Sequence, residues 1–574
     1  MYRGLLVSFI VLISFGWIVY NLIKINILNY DVFKNRLDYY TTFQIYTNPQ
    51  RGRILDRHQK VIASQKEVIK VILQKSKHNL LTENQRKYLE KSLRKLDLKL
   101  PDLKEIYTDK VVLKENPSFQ EICFITENLL YLYGLEVYVD NKRYYEGSAF
   151  AFVTGFVNIP YKEDVQKDSS IQFYSEVGKA GLELQYDSLL RGKLGKVKYL
   201  MDPVGYPVKL LEDFPPEEGK DLITTIDKDL QIFSYNELKK LCDNLSLKNK
   251  QPVGGSVIVM LANGEVLVLA SYPSFDPNDL KPDNNQIIEK YPDFSCYYNR
   301  AIMGEYPAAS TFKIITSLAA LEEKLINKNT HIYCGGVFFV GSHPFYCFNT
   351  YGHGSLDLVH ALAVSCDVFY YTLGYRLGIE KIKKYGELLG LNNKTGIDLP
   401  FESSGFIPDK DWKIRYLNEQ WTKGDDVNIS IGQGFGLVTP IQMAVVTASV
   451  ATGYKPVPFI NSSRKAILYK LPFKPENLEL VKKGMEEAIN IGTATIIKQK
   501  VRKFKVAGKT GTAEVTPNSN NPKGLNNTWF VGYFGYQKPE YVIVVSLEAS
   551  GGYGGQYAAS LAASIISFIE NQNK

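Results

Sequence analysis

The sequence predicts an α+β chain, with one antiparallel sheet assembled from both ends of a C-terminal domain and covered by helices. A non-catalytic region and one membrane-length helix precede that domain. Three observations predict this. Residues 255–261 and 265–271 are apolar β runs joined by Asn263-Gly264, the strongest short hairpin signal. Strand signals resume at residues 504–515, 528–536 and 541–548, the last two forming a hairpin through Gln537-Lys538-Pro539, and an apolar helix over 558–570 closes the chain. Between the two strand groups, residues 311 to about 416 read as mainly helical.

The 574 residues exceed what one hydrophobic core organises, so two or more domains are expected. With 45% apolar and 22% charged residues, the chain is neither disordered nor a multi-span membrane protein. A net charge of +8 is modest for this length, and no nucleic-acid recognition motif accompanies it, so nucleic acid is not an expected partner. Six cysteines are too few for a disulfide scaffold of this size.

Residues 4–23 are uncharged and long enough to span a bilayer, with Trp17 and Tyr20 suited to its far interface. Lys24, Ile25, Asn26 and Ile27 follow without a small-x-small cleavage pattern, which predicts an uncleaved signal anchor behind a cytoplasmic tail of residues 1–3. Residues 39–63 read as extended and include Arg51-Gly52-Arg53-Ile54-Leu55-Asp56-Arg57. Residues 66 to about 109 are strongly charged, with a helical stretch at 83–96 and little apolar periodicity, and predict a solvated helical insertion. Residues 145–206 are rich in Gly and short strands. The cluster Phe214-Pro215-Pro216-Glu217-Glu218-Gly219 marks a domain boundary, placing a non-catalytic domain at 24–216, with a head insertion near 65–150, and a second domain at 217–574. Beyond it, 221–226 reads as a short strand and Asp227 as the N-cap of a helix over 228–240.

Acyl transfer on an amide needs a nucleophile, its base, a proton shuttle and donors for the oxyanion. Tyr306-Pro307-Ala308-Ala309-Ser310-Thr311-Phe312-Lys313 opens a helix whose Ile314, Ile315, Leu318 and Leu321 share one face, and Ser310 and Lys313 lie one turn apart. Ser-x-x-Lys also occurs at Ser92–Lys95 and Ser462–Lys465, both in charged sequence, where no apolar pocket would favour a neutral Lys. Only Ser310 is followed by Ser365-Cys366-Asp367 at a helix start and then by Lys509-Thr510-Gly511-Thr512 on a β run. A strand there can pair with an extended peptide while Lys509 and the Thr hydroxyls meet a carboxylate. Lys394-Thr395-Gly396 repeats the last motif in a loop.

These three motifs in this order resemble those of penicillin-binding proteins. The chain resembles the class B family nearly end to end, and within it the elongation (rod-shape) transpeptidases. The Arg51–Arg57 stretch, Gly178–Gly195, Leu222–Asp227, Asn299-Arg300-Ala301, Gly396–Pro400, Gly432-Gln433-Gly434, Thr439–Gln442, Trp529–Gly532 and Gly551–Gly555 carry that resemblance. Asp367, where many relatives have Asn, is similar to the elongation type. The resemblance implies a penicillin-binding transpeptidase domain behind an elongated pedestal (dimerisation) domain, anchored by a single span in the inner membrane with its body outside the cytoplasm. It implies Ser310 as nucleophile on the penultimate D-Ala carbonyl, Lys313 as base, Ser365 as relay to the leaving D-Ala, and Asp367 as its orienter. Lys509, Thr510 and Thr512, with Gly511 between them, would hold the terminal carboxylate, and the N–H groups of Ser310 and Thr512 the oxyanion. No cofactor is implied for catalysis. The implied partners are stem peptides ending in D-Ala-D-Ala, β-lactams, a membrane-embedded RodA-type glycan polymerase and an MreC-type elongation scaffold. One departure stands out: the family has Gly before the nucleophile, and here it is Ala309.

Cys334, Cys347, His353 and Cys366 form a set of soft sulfur plus one imidazole, which a closed tetrahedral zinc site takes. Zinc there would be structural, fixing the loop that carries Ser365. A Cys334–Cys347 disulfide, three free thiols, or His343 in place of His353 are the alternatives. For function, the alternatives are a division-type transpeptidase of the same class, a β-lactamase or D,D-carboxypeptidase, and a β-lactam-binding sensor or inactive scaffold.

Overall fold

The computed structural model describes residues 2–24, 42–100, 110–168 apart from 130 and 133, 170–171, 175–202, 207–280, 294–517 and 521–572. Residues 101–109, which close the expected insertion, lie outside the described residues. The chain begins with helix α1 (Tyr2–Ile23), whose described side chains include exposed Phe9, Leu12, Phe15 and Trp17. Among the described residues no helix is long and apolar enough to cross a membrane. Side chains of α1 are described only from Ser8 onward, short of the roughly 20 residues a span needs. The expected span at 4–23 is thus present as a helix but not established as a crossing.

The first region holds strands β1 (Thr42–Thr47), β2 (Ile54–Leu55) and β3 (Val61–Gln74), helix α2 (Glu83–Lys95), strand β4 (Lys110–Glu115), helix α3 (Phe119–Glu127) and strand β5 (Leu135–Tyr145). Helix α4 (Gly181–Gln185) and strands β6 (Gly195–Met201), β7 (Pro207–Phe214) and β8 (Leu222–Ile223) follow. One sheet runs β1-β6-β7; a second runs β8-β2-β3-β4, with β5 paired to β3. The expectation of a solvated helical insertion at 66–109 is corrected. Residues 61–74 are a long strand, and α2 and α3 bury Leu89, Leu93 and Ile125 against Val71, Leu73 and Val111 as a separate small core. Spacing concealed this because Lys66, Glu67 and Lys70 interrupt the apolar pattern of β3, and only its last residues, Val71 and Leu73, enter the small core. Reciprocal bonds at the helix starts, Thr82 N–H to Gln85 Oε1 (2.9 Å) and Ser118 N–H to Glu121 Oε2 (2.7 Å), begin both helices.

Arg51, within the stretch read as extended, is buried. Its guanidinium donates to Glu183 Oε2 and Asp187 Oδ1, each at 2.7 Å, and Arg143 donates to Glu183 Oε1 at 2.7 Å. Burial alone would raise the Glu183 carboxyl, but the two guanidinium groups outweigh it and hold it low.

The C-terminal region starts with α5 (Lys228–Asn249), capped as expected by Asp227 Oδ1 accepting from Leu230 N–H at 3.0 Å. Strands β9 (Gly254–Leu261) and β10 (Val266–Tyr272) come next, then helix α6 (Lys313–Glu322). Four short strands follow: β11 (Ile332–Cys334), β12 (Val337–Val340), β13 (His343–Tyr346) and β14 (Gly354–Leu356). Helices α7 (Leu358–Ala363), α8 (Asp367–Leu377), α9 (Pro440–Thr452) and α10 (Pro475–Asn490) lead to strands β15 (Lys505–Ala513), β16 (Asn527–Gly535) and β17 (Tyr541–Glu548), and then α11 (Ala558–Gln572).

The sheet order is β10-β9-β17-β16-β15, all antiparallel, so the N-terminal hairpin joins the C-terminal strands at β9–β17, from Gly254↔Glu548 to Leu261↔Tyr541. Both faces are buried. Val257, Val259, Ile543 and Val545 face the α5 and α11 side, while Ile258, Met260, Val542 and Val544 face the α6 and α9 side. β15 ends the sheet, and its outer edge has no strand partner among the described residues. That edge adjoins the start of α6.

Candidate active site

Ser310 lies in a single 3-10 turn, Ala309–Phe312, immediately before α6. Ala309 enters that turn in the left-handed region, φ 50°. Its N–H donates to Gly432 O (2.9 Å), and the Thr311 hydroxyl donates to Ala308 O (2.6 Å). Gly432 has to be glycine: a Cβ there would lie 2.3 Å from Ala309 O, and its own φ is 71°. The Gly432-Gln433-Gly434 loop thus supports the turn from behind, and Trp529 Nε1 donates to Pro307 O (3.1 Å) in front. The side chain expected to be glycine is therefore tolerated at the strained position itself.

Lys313 is fully buried on the first turn of α6. Its Nζ donates to Asp367 Oδ1 (2.6 Å), Ser365 O (2.9 Å) and Ser365 Oγ (3.3 Å), and stands 5.3 Å from the centre of the Tyr370 ring. The Lys313 nitrogen thus faces the second motif, with Ser310 one turn behind it. Ser365 also has left-handed backbone, φ 58°, in the bend between α7 and α8. Asp367 opens α8, and its other oxygen, Oδ2, accepts from Phe348 N–H at 3.0 Å. Asp367 bonds Lys313 directly and not Ser365, a refinement of the orienting role expected for it.

Lys509 is fully buried in β15, with Nζ donating to Thr510 O at 3.0 Å. Burial pushes its ammonium well below the usual lysine value, the nearby Lys313 adds to this, and Asp367 opposes it. The Thr510 hydroxyl lies 2.5 Å from Thr493 Oγ1, and Thr512 Oγ1 accepts from Gly554 N–H at 3.1 Å. Gly511 packs directly on the turn that carries Ser310: a Cβ there would lie 3.2 Å from both Ala308 O and Thr311 Cγ2. The eight motif residues, in three groups that start 55 and 144 positions apart along the chain, therefore meet at one end of α6 against the outer edge of β15.

The two other Ser-x-x-Lys matches do not assemble. Ser462 is exposed and bonds Ile223 O (2.8 Å). Ser92, expected to be solvated, is buried in the small core beneath α2, but Lys95 points to solvent. Lys394-Thr395-Gly396 is a turn fastened by Glu402, which accepts from Thr395 N–H (2.7 Å) and Gly396 N–H (3.1 Å). Sequence reasoning missed Thr493 and Tyr370, because neither sits in a motif and both reach the site only through tertiary contact.

The four expected metal ligands do come together. Cys334, Cys347, His353 and Cys366 present ligand atoms all within 4.8 Å of one another. β11 pairs with β14 and β12 with β13, so two short hairpin-like units fold Cys334, Cys347 and His353 onto Cys366, the N-cap residue of α8. His353 Nδ1 lies 3.6 Å from Cys334 Sγ and 3.5 Å from Cys347 Sγ. Tetrahedral zinc with its usual bond lengths sets a sulfur–nitrogen edge of about 3.6 Å, so the set fits. None of the six cysteines is in a disulfide, and His343 is on β13 outside the cluster. The Cys347 and Cys366 sulfurs lie close enough that one proton is shared unequally between them, lowering the Cys347 thiol and raising the Cys366 thiol.

The profile of the penicillin-binding protein transpeptidase domain matches residues 254–567, and that of the penicillin-binding protein dimerisation domain matches residues 46–224. The peptidoglycan D,D-transpeptidase MrdA of Haemophilus influenzae is 28% identical, over 99% of this chain and 92% of its own. Among solved structures, a complex between penicillin-binding protein PBP2 and MreC from Helicobacter pylori matches with TM-score 0.78 and 28% identity, over 92% of this chain and 99% of that one. A structure titled as coordination of polymerization and crosslinking by a peptidoglycan synthase complex matches with TM-score 0.75 and 26% identity, over 98% of both chains. With its three motifs gathered at one edge of the sheet, the chain belongs to the penicillin-binding protein transpeptidase family and is a class B protein of the PBP2 type.

Proposed function

We propose that the chain is a peptidoglycan D,D-transpeptidase of cell elongation, working through a serine acyl-enzyme and blocked covalently by β-lactams. The observation that carries it is the enclosure of Lys313 by Ser365 and Asp367, one helical turn from Ser310 and beside an unpaired strand edge ending in Lys509-Thr510-Gly511-Thr512. An extended stem peptide adds to that edge as a further strand. Its terminal carboxylate meets Lys509 and the hydroxyls of Thr510 and Thr512. Ser310 Oγ attacks the penultimate D-Ala carbonyl as its proton passes to Lys313, and the N–H groups of Ser310 and Thr512 receive the oxyanion. The carbon–nitrogen bond then breaks as Ser365 hands its proton to the departing D-Ala and takes in exchange the one that Lys313 received. An amine on a neighbouring peptide then attacks the ester carbonyl, and its proton returns to Ser310 Oγ as the ester bond breaks. Asp367 holds the Lys313 nitrogen in place throughout.

Residues 24–216 act as the pedestal and 217–574 as the transpeptidase unit. The apolar helix α1 serves as a single-span anchor in the inner membrane, with the body on the periplasmic side, because its exposed Phe, Leu and Ile side chains need an apolar surround. A RodA-type polymerase and an MreC-type scaffold are the partners of the pedestal. Cys334, Cys347, His353 and Cys366 hold one structural zinc, which cross-links the loop bearing Ser365 and supplies no step of the reaction.

Incubation with a fluorescent penicillin tests the reading. A label that persists on the chain and disappears in Ser310→Ala is expected. Rapid release of the label would identify a β-lactamase instead. Depletion in cells is expected to lower cross-linking and round the cells, and unchanged shape and cross-linking would overturn the elongation assignment.

A further inference from the structure

Thr493 belongs to none of the three motifs. It sits in the short loop after α10, and three separate constraints converge on it. Its N–H donates to Ala363 O (3.4 Å), at the end of α7 and two residues before Ser365. Its Oγ1 lies 2.5 Å from Thr510 Oγ1. Its carbonyl is approached so closely by Gly555 that a Cβ there would stand 2.4 Å away. The preceding Gly492 is pressed on the same Ala363 carbonyl, 2.1 Å from where its Cβ would be. Thr493 is therefore wedged between the bend that carries Ser365, the strand that carries Lys509, and the glycine turn whose Gly554 N–H holds Thr512.

A hydroxyl has one hydrogen to donate and two lone pairs that accept. In the Thr493–Thr510 pair, one hydrogen lies between the oxygens. A carboxylate accepts only, so Thr510 can bond it only by donating. The arrangement that satisfies both is a relay in one direction, with Thr493 donating to Thr510 and Thr510 donating outward. Thr510 is 6% exposed, so its hydroxyl has little water to orient it otherwise. A bond accepted from Thr493 also polarises the Thr510 hydroxyl and strengthens its outward donation.

We infer that Thr493 is a positioning residue that aims the Thr510 hydroxyl at the terminal carboxylate of the donor peptide, so setting selectivity for substrates that carry that carboxylate. This rests on the transpeptidase reading above. Thr493→Val keeps the shape and removes the hydroxyl, and Thr493→Ser keeps the hydroxyl.

The test compares second-order acylation of the full chain by a penicillin and by its methyl ester, which lacks the charged carboxylate. The acid-to-ester ratio is expected to fall about tenfold in Thr493→Val, the scale of one hydrogen bond to a charged group, and to return in Thr493→Ser. An unchanged ratio, or equal slowing with both compounds, would reduce Thr493 to a packing residue and overturn the inference. Should Thr493→Val not fold, Thr493→Ala carries the same expectation and the same refutation. If the unsubstituted chain is acylated by neither compound, the transpeptidase reading itself falls. Normal acylation with an unmoved ratio removes only the role of Thr493.

Discussion

Ala309 and Ser365 turn the backbone through the left-handed region, φ 50° and 58°, one just ahead of Ser310, the proposed nucleophile, and the other at the proposed shuttle. Strain of this kind persists where the surroundings impose it, here Gly432 behind Ala309 and the Lys313 contacts around Ser365. For Ala309→Gly, relief of left-handed strain and the greater freedom of an unfolded glycine oppose each other at about 1 kcal/mol each. Its denaturation midpoint and its acylation by penicillin should therefore stay near those of the unsubstituted chain, and a large gain in stability would show that the strain is greater than this argument allows. Lys509 gives a sharper expectation. Burial and Lys313 lower its pKa, so its ammonium is lost as pH rises through a range below the ordinary 10.5. Only the ammonium attracts a carboxylate. Acylation by a penicillin should accordingly weaken across that range while acylation by its methyl ester does not, and Lys509→Arg, which stays protonated, should flatten the difference. A profile that strengthens with rising pH would refute the carboxylate role. The motif residues were legible because each has a recognisable local setting. The bond from Lys313 to Asp367 was not, since it joins side chains 54 positions apart and no periodicity reports a side chain's direction.

At the level of elements, the central sheet was legible and the short strands were not. β9, β10, β16 and β17 are long, apolar and bounded by turns, so they fall within a residue or two of expectation. β11 to β14 have three or four residues each, too few for any period, and lie within a stretch read as mainly helical. What organises them is the Cys/His cluster, whose members were found by chemistry before their strands were. The cluster reaches Ser365 and Asp367 by a short path: Cys347 precedes Phe348, whose N–H holds Asp367, and Cys366 separates Ser365 from Asp367. Elemental analysis should find about one zinc per chain. Cys347→Ser should lose the metal and acylate more slowly, because Asp367 and with it the Lys313 nitrogen would be less firmly held. Metal-free protein with intact thiols and an undiminished acylation rate would refute the structural role.

For the whole molecule, the Pro/Gly/acid cluster at 214–219 marks a change in composition, but not a gap in packing. Buried Ile54, Phe150 and Leu182 belong to one continuous core with Ile226, Ile258 and Phe312, so the region in front is packed against the domain that carries Ser310. β8 pairs in parallel with β2, and Arg53 bonds Asp221 at 2.6 Å. The most specific link is Asp398, from the Gly396–Pro400 stretch. It accepts from Ile460 N–H (2.6 Å), Asn461 N–H (2.9 Å) and the Tyr186 hydroxyl (2.7 Å), whose pKa burial and Asp398 push up to about 12. Two variants separate the parts of this link. Tyr186→Phe removes one donor from a carboxylate that keeps two others, so it should cost about 1–2 kcal/mol of stability. Asp398→Ala removes the acceptor and strands two backbone N–H groups, one of them buried, so its cost should be roughly twice as large. Urea unfolding followed by fluorescence and by circular dichroism reads both. The two probes should coincide in the unsubstituted chain and diverge in Asp398→Ala, as the halves lose their common fastening. Equal losses in the two variants would mean that Asp398 acts through Tyr186 alone, and coincident probes in Asp398→Ala would mean that the shared core suffices to hold the halves together.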